Sequence, residues 1–148
     1  MAESNTSGWP PYARVPPFLP VPLRARADGW TPERQARFIG FLAETGSVAA
    51  AARRVGMSRE SAHRLRRRPH AASFAHAWEA IVALRGGGPL HHRKITAEEL
   101  AELAFHGPFH ILIRRQRFVR TWRKPSTSAL LRHLRRLEAR AAPGGWDR

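Results

Sequence analysis

Residues 47–69, with the sequence SVAAAARRVGMSRESAHRLRRRP, constrain the fold more than any other part of the chain. Ser47 and Ser58 are typical helix N-cap residues, and Gly56 favours the end of a helix. Pro69 disfavours helix in the residue before it. The stretch therefore predicts two short helices joined by a tight turn at Gly56. Ala52 lies one helical turn before Gly56, and we expect the lack of bulk at both positions to let the helices cross closely.

Apolar residues occur where the contact between these two helices needs them. The positions expected to be buried are Ala51, Val55, Met57, Ala62 and Leu65. A preceding helix is expected to begin at Thr31 as N-cap, with Pro32 in its first turn, and to end at Gly46. A following helix carries Phe74, Trp78 and Ile81 on one stripe. Residues 30–85 therefore have the composition of a three- or four-helix domain.

The run TGSVAAAARRVGMSRESAHRLRRR, followed by FAHAW, resembles the DNA-binding domains of phage terminase small subunits and of transposase-associated helix-turn-helix proteins. Residues 30–85 are thus similar to a homeodomain-like bacterial helix-turn-helix domain. The resemblance implies that the partner is double-stranded DNA. In such domains the second helix of the motif enters the major groove.

The helix that begins after Ser58 can be divided into faces at 100° per residue. One face points away from Ala62 and Leu65 and holds the candidates for reading base edges, which are Arg59, Glu60, His63, Arg64 and Arg67. Arginine can pair with guanine, and a glutamate can accept from cytosine. The candidates for phosphate contact, which position the protein without reading sequence, are Arg53, Arg54, Ser58, Arg66 and Arg68.

The charge of the chain agrees with a polyanionic partner. The sequence has 26 Lys and Arg residues against 11 Asp and Glu residues, a formal net charge of +15. Ten cations against four acids fall in residues 31–85, and eleven against two fall in residues 108–148. A protein this basic usually binds nucleic acid. Because the chain has no Cys, disulfides and thiolate metal sites are excluded.

Residues 96–141 predict a small basic helix–hairpin–helix unit. Thr96 and Glu99 fit a capping box, a hairpin is expected to turn near Arg115 and Gln116, and a last helix should begin at Ser126 or Ser128. A secondary basic surface is expected at Arg114, Arg115, Arg117, Arg120, Arg123 and Lys124.

Three interpretations of this second basic unit stay open. The arginines and aromatic residues suit a second surface for DNA, for single strands or for RNA. Alternatively, Phe118, Trp122 and the leucines of the last helix form a small core that the arginines solvate. The same leucine stripe is also a candidate interface for a homodimer, which would place two recognition helices about 34 Å apart.

The remaining segments carry no motif. Residues 1–29 contain six prolines and predict a disordered, extended arm. Residues 86–95 are expected to be a linker, and residues 142–148 a frayed tail. No apolar run reaches the length of a membrane span, and no signal pattern is present at the start of the chain. We therefore expect a bacterial, cytoplasmic protein associated with the nucleoid, without a membrane partner.

The residues do not form a pattern typical of an enzyme. The acids are scattered, and no histidine has a metal-ligand spacing with another ligand. Gly86, Gly87 and Gly88 precede Pro89, which does not fit a phosphate-binding loop. We therefore expect no catalytic activity, no metal and no cofactor.

We expect the function to be sequence-preferring binding of double-stranded DNA by an arginine-rich transcriptional regulator. Three alternatives stay open. They are recognition of phage or mobile-element DNA, as by a terminase small subunit, a basic adaptor for RNA or the ribosome, and an enzyme subunit.

Overall fold

The computed structural model describes residues 14–86 and 92–142. In these residues the chain is mainly helical, with six helices and one two-stranded antiparallel hairpin. In chain order the elements are α1 (Pro32–Thr45), α2 (Val48–Arg54), α3 (Arg59–Arg66), α4 (Ala72–Arg85), α5 (Ala97–Phe105), β1 (Phe109–Arg114), β2 (Arg117–Arg123) and α6 (Thr127–Ala141). The prediction of a mainly helical chain with a basic hairpin and a C-terminal helix is confirmed.

Hydroxyl side chains begin five of the helices. The side chains that accept a hydrogen bond from the backbone N–H three residues ahead are those of Thr31, Ser47, Ser58, Thr96 and Ser126. At Thr96 the capping box with Glu99 is complete, because the Glu99 carboxylate in turn accepts from the Thr96 N–H. These starts agree with the sequence because a cap depends only on neighbouring residues.

The main core lies between α1 and α4. Phe38 is fully buried, with its ring centroid 5.2 Å from that of Trp78 and 6.0 Å from that of Phe74. Trp30 packs edge-on against Phe38 at 5.4 Å. Aromatic contacts of this kind contribute beyond the area they bury. The short helices α2 and α3 add small residues to the same core.

The sequence predicts that residues 14–29 belong to a disordered arm, but residues 15–21 of this segment instead contribute side chains to the core. Val15, Phe18, Leu19 and Val21 are all buried. Phe18 forms an isolated antiparallel bridge with Phe109 of β1, through backbone hydrogen bonds of 2.8 and 3.2 Å. The prolines keep this segment extended, which suits a chain that crosses a core without forming a helix. Residues 1–13 of the predicted arm lie outside the described residues.

A buried amide side chain holds this segment on α1. Gln35 is fully buried, and its Oε1 accepts from the Val21 N–H at 2.6 Å. Its Nε2 donates to the carbonyl oxygens of Val21 and Trp30. A buried amide is costly unless its groups are paired, and here donor and acceptor both have partners. The Gln35 amide therefore pairs with the backbone of the extended segment as the backbone of a neighbouring strand would.

The hairpin packs on α1 and shares its core. Phe118 lies 4.9 Å from Phe41 between ring centroids, and Phe109 belongs to the main core. The approach needs Gly40, because a Cβ atom there would lie 2.3 Å from the Phe118 ring. The hairpin, which the sequence predicts as part of a unit at 96–141, thus shares a core with α1 of the predicted domain at 30–85. The suggestion that Phe118 and Trp122 form a small core with α6 is wrong.

The helices α5 and α6 form a second, smaller cluster. Leu100, Ala104 and Ala129 are its buried residues. Further along α6 the side chains of Leu131, Leu134 and Leu137 are exposed by 45–54%. The predicted linker is described only at residue 86 and residues 92–95, and the tail after residue 142 lies outside the described residues. No helix in the described residues has the length and apolar character needed to cross a membrane.

Candidate nucleic-acid interface

The turn between α2 and α3 has the hydrogen bonds of a Schellman motif. The Met57 N–H donates to the Ala52 carbonyl at 2.9 Å, and the Gly56 N–H donates to the Arg53 carbonyl at 3.0 Å. Gly56 has φ of 74°, in the left-handed region. A Cβ atom at Gly56 would meet nothing within 4 Å. The expectation that Gly56 allows the helices to approach through its lack of bulk is therefore wrong, and its role is conformational.

Small residues bring α2 and α3 together elsewhere. Ala51, Ala52 and Ala62 have no exposed surface, and Leu65 is 2% exposed. These residues pack towards α1 and α4, so the opposite face of α3 remains in solvent. The predicted apolar positions of both helices are thus buried or, for Met57, partly buried.

The start of α3 is tied to the core through a tryptophan. Ser58 caps the helix, and the Ser61 hydroxyl donates to the Ser58 carbonyl at 2.8 Å. The Trp30 indole N–H in turn donates to Ser61 Oγ at 3.2 Å. Nothing in the local sequence indicates this contact, because Trp30 and Ser61 are 31 residues apart. It fixes the orientation of the first turn of α3.

The five base-reading candidates lie on one face of α3 and line a single surface depression, namely Arg59, Glu60, His63, Arg64 and Arg67. All of them except His63 are exposed. Within the described residues, no hydrogen bond or ion pair engages the side chains of Arg59, Glu60 and Arg64. The Arg67 Nε donates to the His63 carbonyl at 3.2 Å, which leaves its other guanidinium nitrogens without such a bond.

His63 differs from the other four. Its ring is half-buried and lies 5.2 Å from the Trp78 ring, with 48° between the planes. The helical wheel places His63 outward, but Trp78 of α4 reaches its side of α3. His63 is therefore better placed to support α3 than to extend from it.

The phosphate candidates differ in how far their side chains are already engaged within the protein. Arg53 and Arg68 are exposed, and neither side chain is paired within the described residues. Arg54 bonds Glu44 at 3.1 Å and lies over the Phe41 ring, while Arg66 bonds Glu79 at 2.8 Å and lies over the Trp78 ring. Ser58 already uses its hydroxyl oxygen as the cap of α3. Arg53 and Arg68 therefore have the side chains with most freedom to meet an anion.

The hairpin presents a second cationic surface. In its register Arg114 is directly opposite Arg117, and Leu112 is opposite Arg120. Arg115 and Gln116 form the turn with φ of 52° and 64°, the pattern of a type I′ turn. The turn predicted at these two residues is confirmed. A bulge at Val119 brings Phe118 onto the α1 side, so that these arginines occupy the opposite face.

Two cations that the sequence predicts for this surface, Arg123 and Lys124, have surroundings that differ from those of the arginines near the turn. Arg123 is half-buried over the Phe109 ring, and its Nε donates to the Gly107 carbonyl at 2.8 Å. Arg123 therefore belongs to the structure of the hairpin base rather than to a free surface. Lys124 is exposed and lies close enough to His110 to lower the pKa of that imidazole, although burial is the larger cause of the decrease.

Trp122 is already stacked within the protein. The His110 ring lies 5.1 Å from it with 12° between the planes, and the Arg120 guanidinium lies 5.2 Å from its centroid. The side chain remains 38% exposed. A nucleobase would have to compete with these two partners, which argues against Trp122 as an open stacking platform.

One aromatic ring connects the two cationic surfaces. Phe41 of α1 contacts Phe118 of the hairpin at 4.9 Å and the Arg54 guanidinium of α2 at 5.2 Å. The hairpin tip therefore lies beside the C-terminal end of α2, and α1 supports both. The sequence signal for this contact was Gly40, an interior helical glycine next to Phe41.

No group of three or more His, Asp or Glu residues in the described part of the chain could hold a metal ion. Comparison with family models, with curated proteins and with solved structures gives no match. The arrangement of charges and side chains is therefore the basis for assigning a function.

Proposed function

We propose that the protein binds double-stranded DNA with a preference for sequence, through a helix-turn-helix in which α3 is the recognition helix. The observation that carries this proposal is the exposed face of α3. Arg59, Glu60, Arg64 and Arg67 project there, and none has an ion-pair partner in the described residues. Ala62 and Leu65 pack the opposite face onto the core. An exposed α-helix with this residue set fits the width and chemistry of a major groove.

Phosphate contacts would come from both sides of the recognition helix. Arg53 and Arg68 flank α3, and the hairpin arginines Arg114, Arg115 and Arg117 extend the cationic surface beyond Phe41. Direct pairing of Arg114 with Arg117 destabilises a hairpin, since like charges face each other. A duplex phosphate between them would remove that cost. This favours the hairpin as a second DNA contact.

A regulatory role would suit this kind of binding, and we propose that the protein is a nucleoid-associated transcriptional regulator of the cytoplasm. A homodimer would suit that role, because the exposed stripe of Leu131, Leu134 and Leu137 on α6 has the character of an interface. Two copies would then read half-sites one helical turn apart. A measured mass well above that of a dimer would instead favour the ring-forming, terminase-like alternative.

The test separates base reading from phosphate binding. Selection of bound fragments from random duplex DNA supplies a preferred site and a scrambled site of equal length. Arg64→Ala and Arg67→Ala should each weaken the preferred site by about 1–3 kcal/mol and the scrambled site less. Arg53→Ala should weaken both sites equally, and Arg132→Ala on α6 serves as the charge-matched control.

Two results would overturn the proposal. Equal losses on both duplexes for all three variants would reject the assignment of base-reading residues. Stronger binding to a structured RNA than to the selected duplex, measured by competition in the same salt, would favour the RNA adaptor instead.

A further inference from the structure

A groove on another part of the surface differs in chemistry from the candidate DNA interface. Its volume is about 620 Å³, within the range of about 300–1,000 Å³ that is typical of small-molecule sites. Residues 19–25 line the groove together with the first turns of α1 and α5 and with residues 70, 72 and 73 at the start of α4. The segment 19–25 contains Pro20 and Pro22, whose fixed φ angles give it a rigid shape.

The lining of this groove is mostly apolar. Leu19, Val21, Leu23 and the Trp30 indole contribute to it, together with Pro32. The segment 19–25 is held in place by Gln35 and by the Ser73 hydroxyl, which accepts from the Leu19 N–H at 2.8 Å. An apolar surface that is held open in this way favours a ligand with an apolar body.

Carboxylates concentrate at the groove in a chain that has few of them. Four of the 11 acids of the sequence line it, namely Glu33, Glu98, Glu99 and Glu102. Glu99 bonds Arg93 and the Thr96 N–H, and Glu102 contacts His106. Glu33 and Glu98 make no side-chain bond to any described residue. Two arginines, Arg24 and Arg123, also line the groove, and the Arg123 guanidinium lies 3.9 Å from the Glu102 carboxylate.

Helix dipoles explain part of this pattern. Glu33 and Glu98 lie in the first turns of α1 and α5, where a carboxylate is favourable. That effect does not require both helices to start at the same apolar groove. The carboxylates of Glu33 and Glu98, which have no described partner, would favour a cation over an anion at this groove.

We propose that this groove binds a small apolar organic cation, of the quaternary ammonium or phosphonium class. The apolar body would lie against residues 19–23 and Trp30, whose ring is the best aromatic partner for such a cation. Glu33 and Glu98 would provide the counter-charge at the rim. An ion of this class needs no hydrogen-bond acceptor, so its charge can be balanced by a carboxylate without a directed hydrogen bond.

The groove is also connected to α3. Trp30 lines it and donates to Ser61 Oγ of α3 at 3.2 Å, and His70 lines it just after the end of α3. An occupant that holds Trp30 in place would favour the present orientation of α3. On the basis of the proposed DNA-binding function, occupancy strengthens DNA binding, and DNA strengthens ligand binding by the same factor.

Calorimetry on the full chain without DNA tests the site itself. The probes are tetraphenylphosphonium and the uncharged triphenylphosphine oxide. We expect saturable binding of one phosphonium ion and at least about tenfold weaker binding of the oxide. Glu33→Gln with Glu98→Gln should weaken phosphonium binding about tenfold and leave oxide binding unchanged. Glu138→Gln on α6 is the matched control and should have no effect.

A second variant tests the location. Ala72 is exposed on the groove wall, so Ala72→Trp should fill the groove and abolish binding of both probes. Retained binding by Ala72→Trp would overturn the proposal. So would equal phosphonium affinity in the Glu33→Gln/Glu98→Gln protein and the wild type.

The connection to α3 has its own measurement. Saturating phosphonium should raise the affinity for the selected duplex severalfold, and Ser61→Ala should remove this rise while retaining phosphonium binding. No rise in the wild type, or a fall, would overturn the connection. Because phosphonium binding is measured without DNA, its failure and the failure of DNA binding can be distinguished.

Discussion

At the scale of single residues, two physical reasons can require a glycine at position 56, namely its lack of bulk and its access to a left-handed backbone conformation. Space is available for a Cβ atom at this position, and the left-handed φ of 74° is the constraint. Gly56→Ala should therefore cost about 1–2 kcal/mol of unfolding free energy, while Gly56→Asn should cost less, because Asn visits this region more readily. Urea denaturation of the three proteins measures the difference. If bulk were the constraint, the larger Asn would cost more than Ala.

His110 makes stability depend on pH. Burial, with a smaller contribution from Lys124, holds the pKa of this imidazole below its ordinary value of 6.5. Between the lowered pKa and pH 6.5, the unfolded chain binds more protons than the folded protein. The contribution of His110 to the free energy of unfolding is therefore complete above pH 6.5 and decreases as the pH falls through that window. His110→Phe keeps a ring against Trp122 and should flatten this fall.

The measurement compares wild type and His110→Phe by denaturation at pH 7.5, 6 and 5. The other histidines contribute to both curves, so the difference reports His110. A difference between the two proteins that stays constant with pH would contradict the assignment.

At the scale of elements, local patterns explain why the helices could be predicted. Caps at Thr31, Ser47 and Ser58 act through backbone groups within three residues, and such contacts are contained in a short window of sequence. The burial of Phe18 and the contact of Phe118 with Phe41 join residues far apart in the chain. The burial of Phe18 has no local signal, and Gly40 indicates only that a bulky group approaches α1, without indicating which one. The proline-rich segment and the place of the hairpin could therefore not be predicted.

In the candidate site, too, some residues could be placed from the sequence and others could not. The helical period placed Arg59, Glu60, Arg64 and Arg67 correctly on the exposed face, because that face depends on α3 alone. It did not place His63, whose environment is created by Trp78 of another helix. Likewise, no sequence pattern indicates that Arg54 and Arg66 pair with Glu44 and Glu79.

The hairpin offers a prediction in which stability and binding change in opposite directions. Arg117→Glu replaces the like-charged pair with Arg114 by an opposite pair, and should stabilise the fold by about 0.2–1 kcal/mol. The same change should weaken duplex binding, because it places a negative charge on the proposed phosphate contact. Arg132→Glu on α6 alters the net charge equally and controls for general repulsion. No gain over that control in thermal denaturation would contradict the prediction.

At the scale of the whole molecule, one core joins the N-terminal segment, the helices and the hairpin. Phe18 is 1% exposed and touches both Phe74 and Phe109. Phe18→Ala should therefore destabilise the protein by about 3–5 kcal/mol. Phe105, which is 62% exposed, is the matched control, and its replacement by Ala should change stability by less than about 0.5 kcal/mol. Equal effects of the two substitutions would show that residues 15–21 are not part of the core.

The salt dependence of DNA binding tests whether the whole cationic surface meets one duplex. Five exposed arginines without an acidic partner in the described residues surround α3, namely Arg53, Arg59, Arg64, Arg67 and Arg68. Each cation that displaces a condensed counterion from the duplex adds about −0.9 to the slope of log K against log salt. These arginines alone should thus give a slope of about −4.5. With the three hairpin arginines Arg114, Arg115 and Arg117 the slope should reach about −7, because Phe41 holds the hairpin beside α2.

Replacing these three hairpin arginines by Gln should return the slope to about −4.5 and leave the preferred sequence unchanged, since phosphate contacts carry no base information. The same replacement of Arg132, Arg135 and Arg136 on α6 is the control and should keep the steeper slope. Titrations of the selected duplex at four salt concentrations give the three slopes. If the hairpin variant and the wild type had the same slope, α3 would bind the duplex without the hairpin.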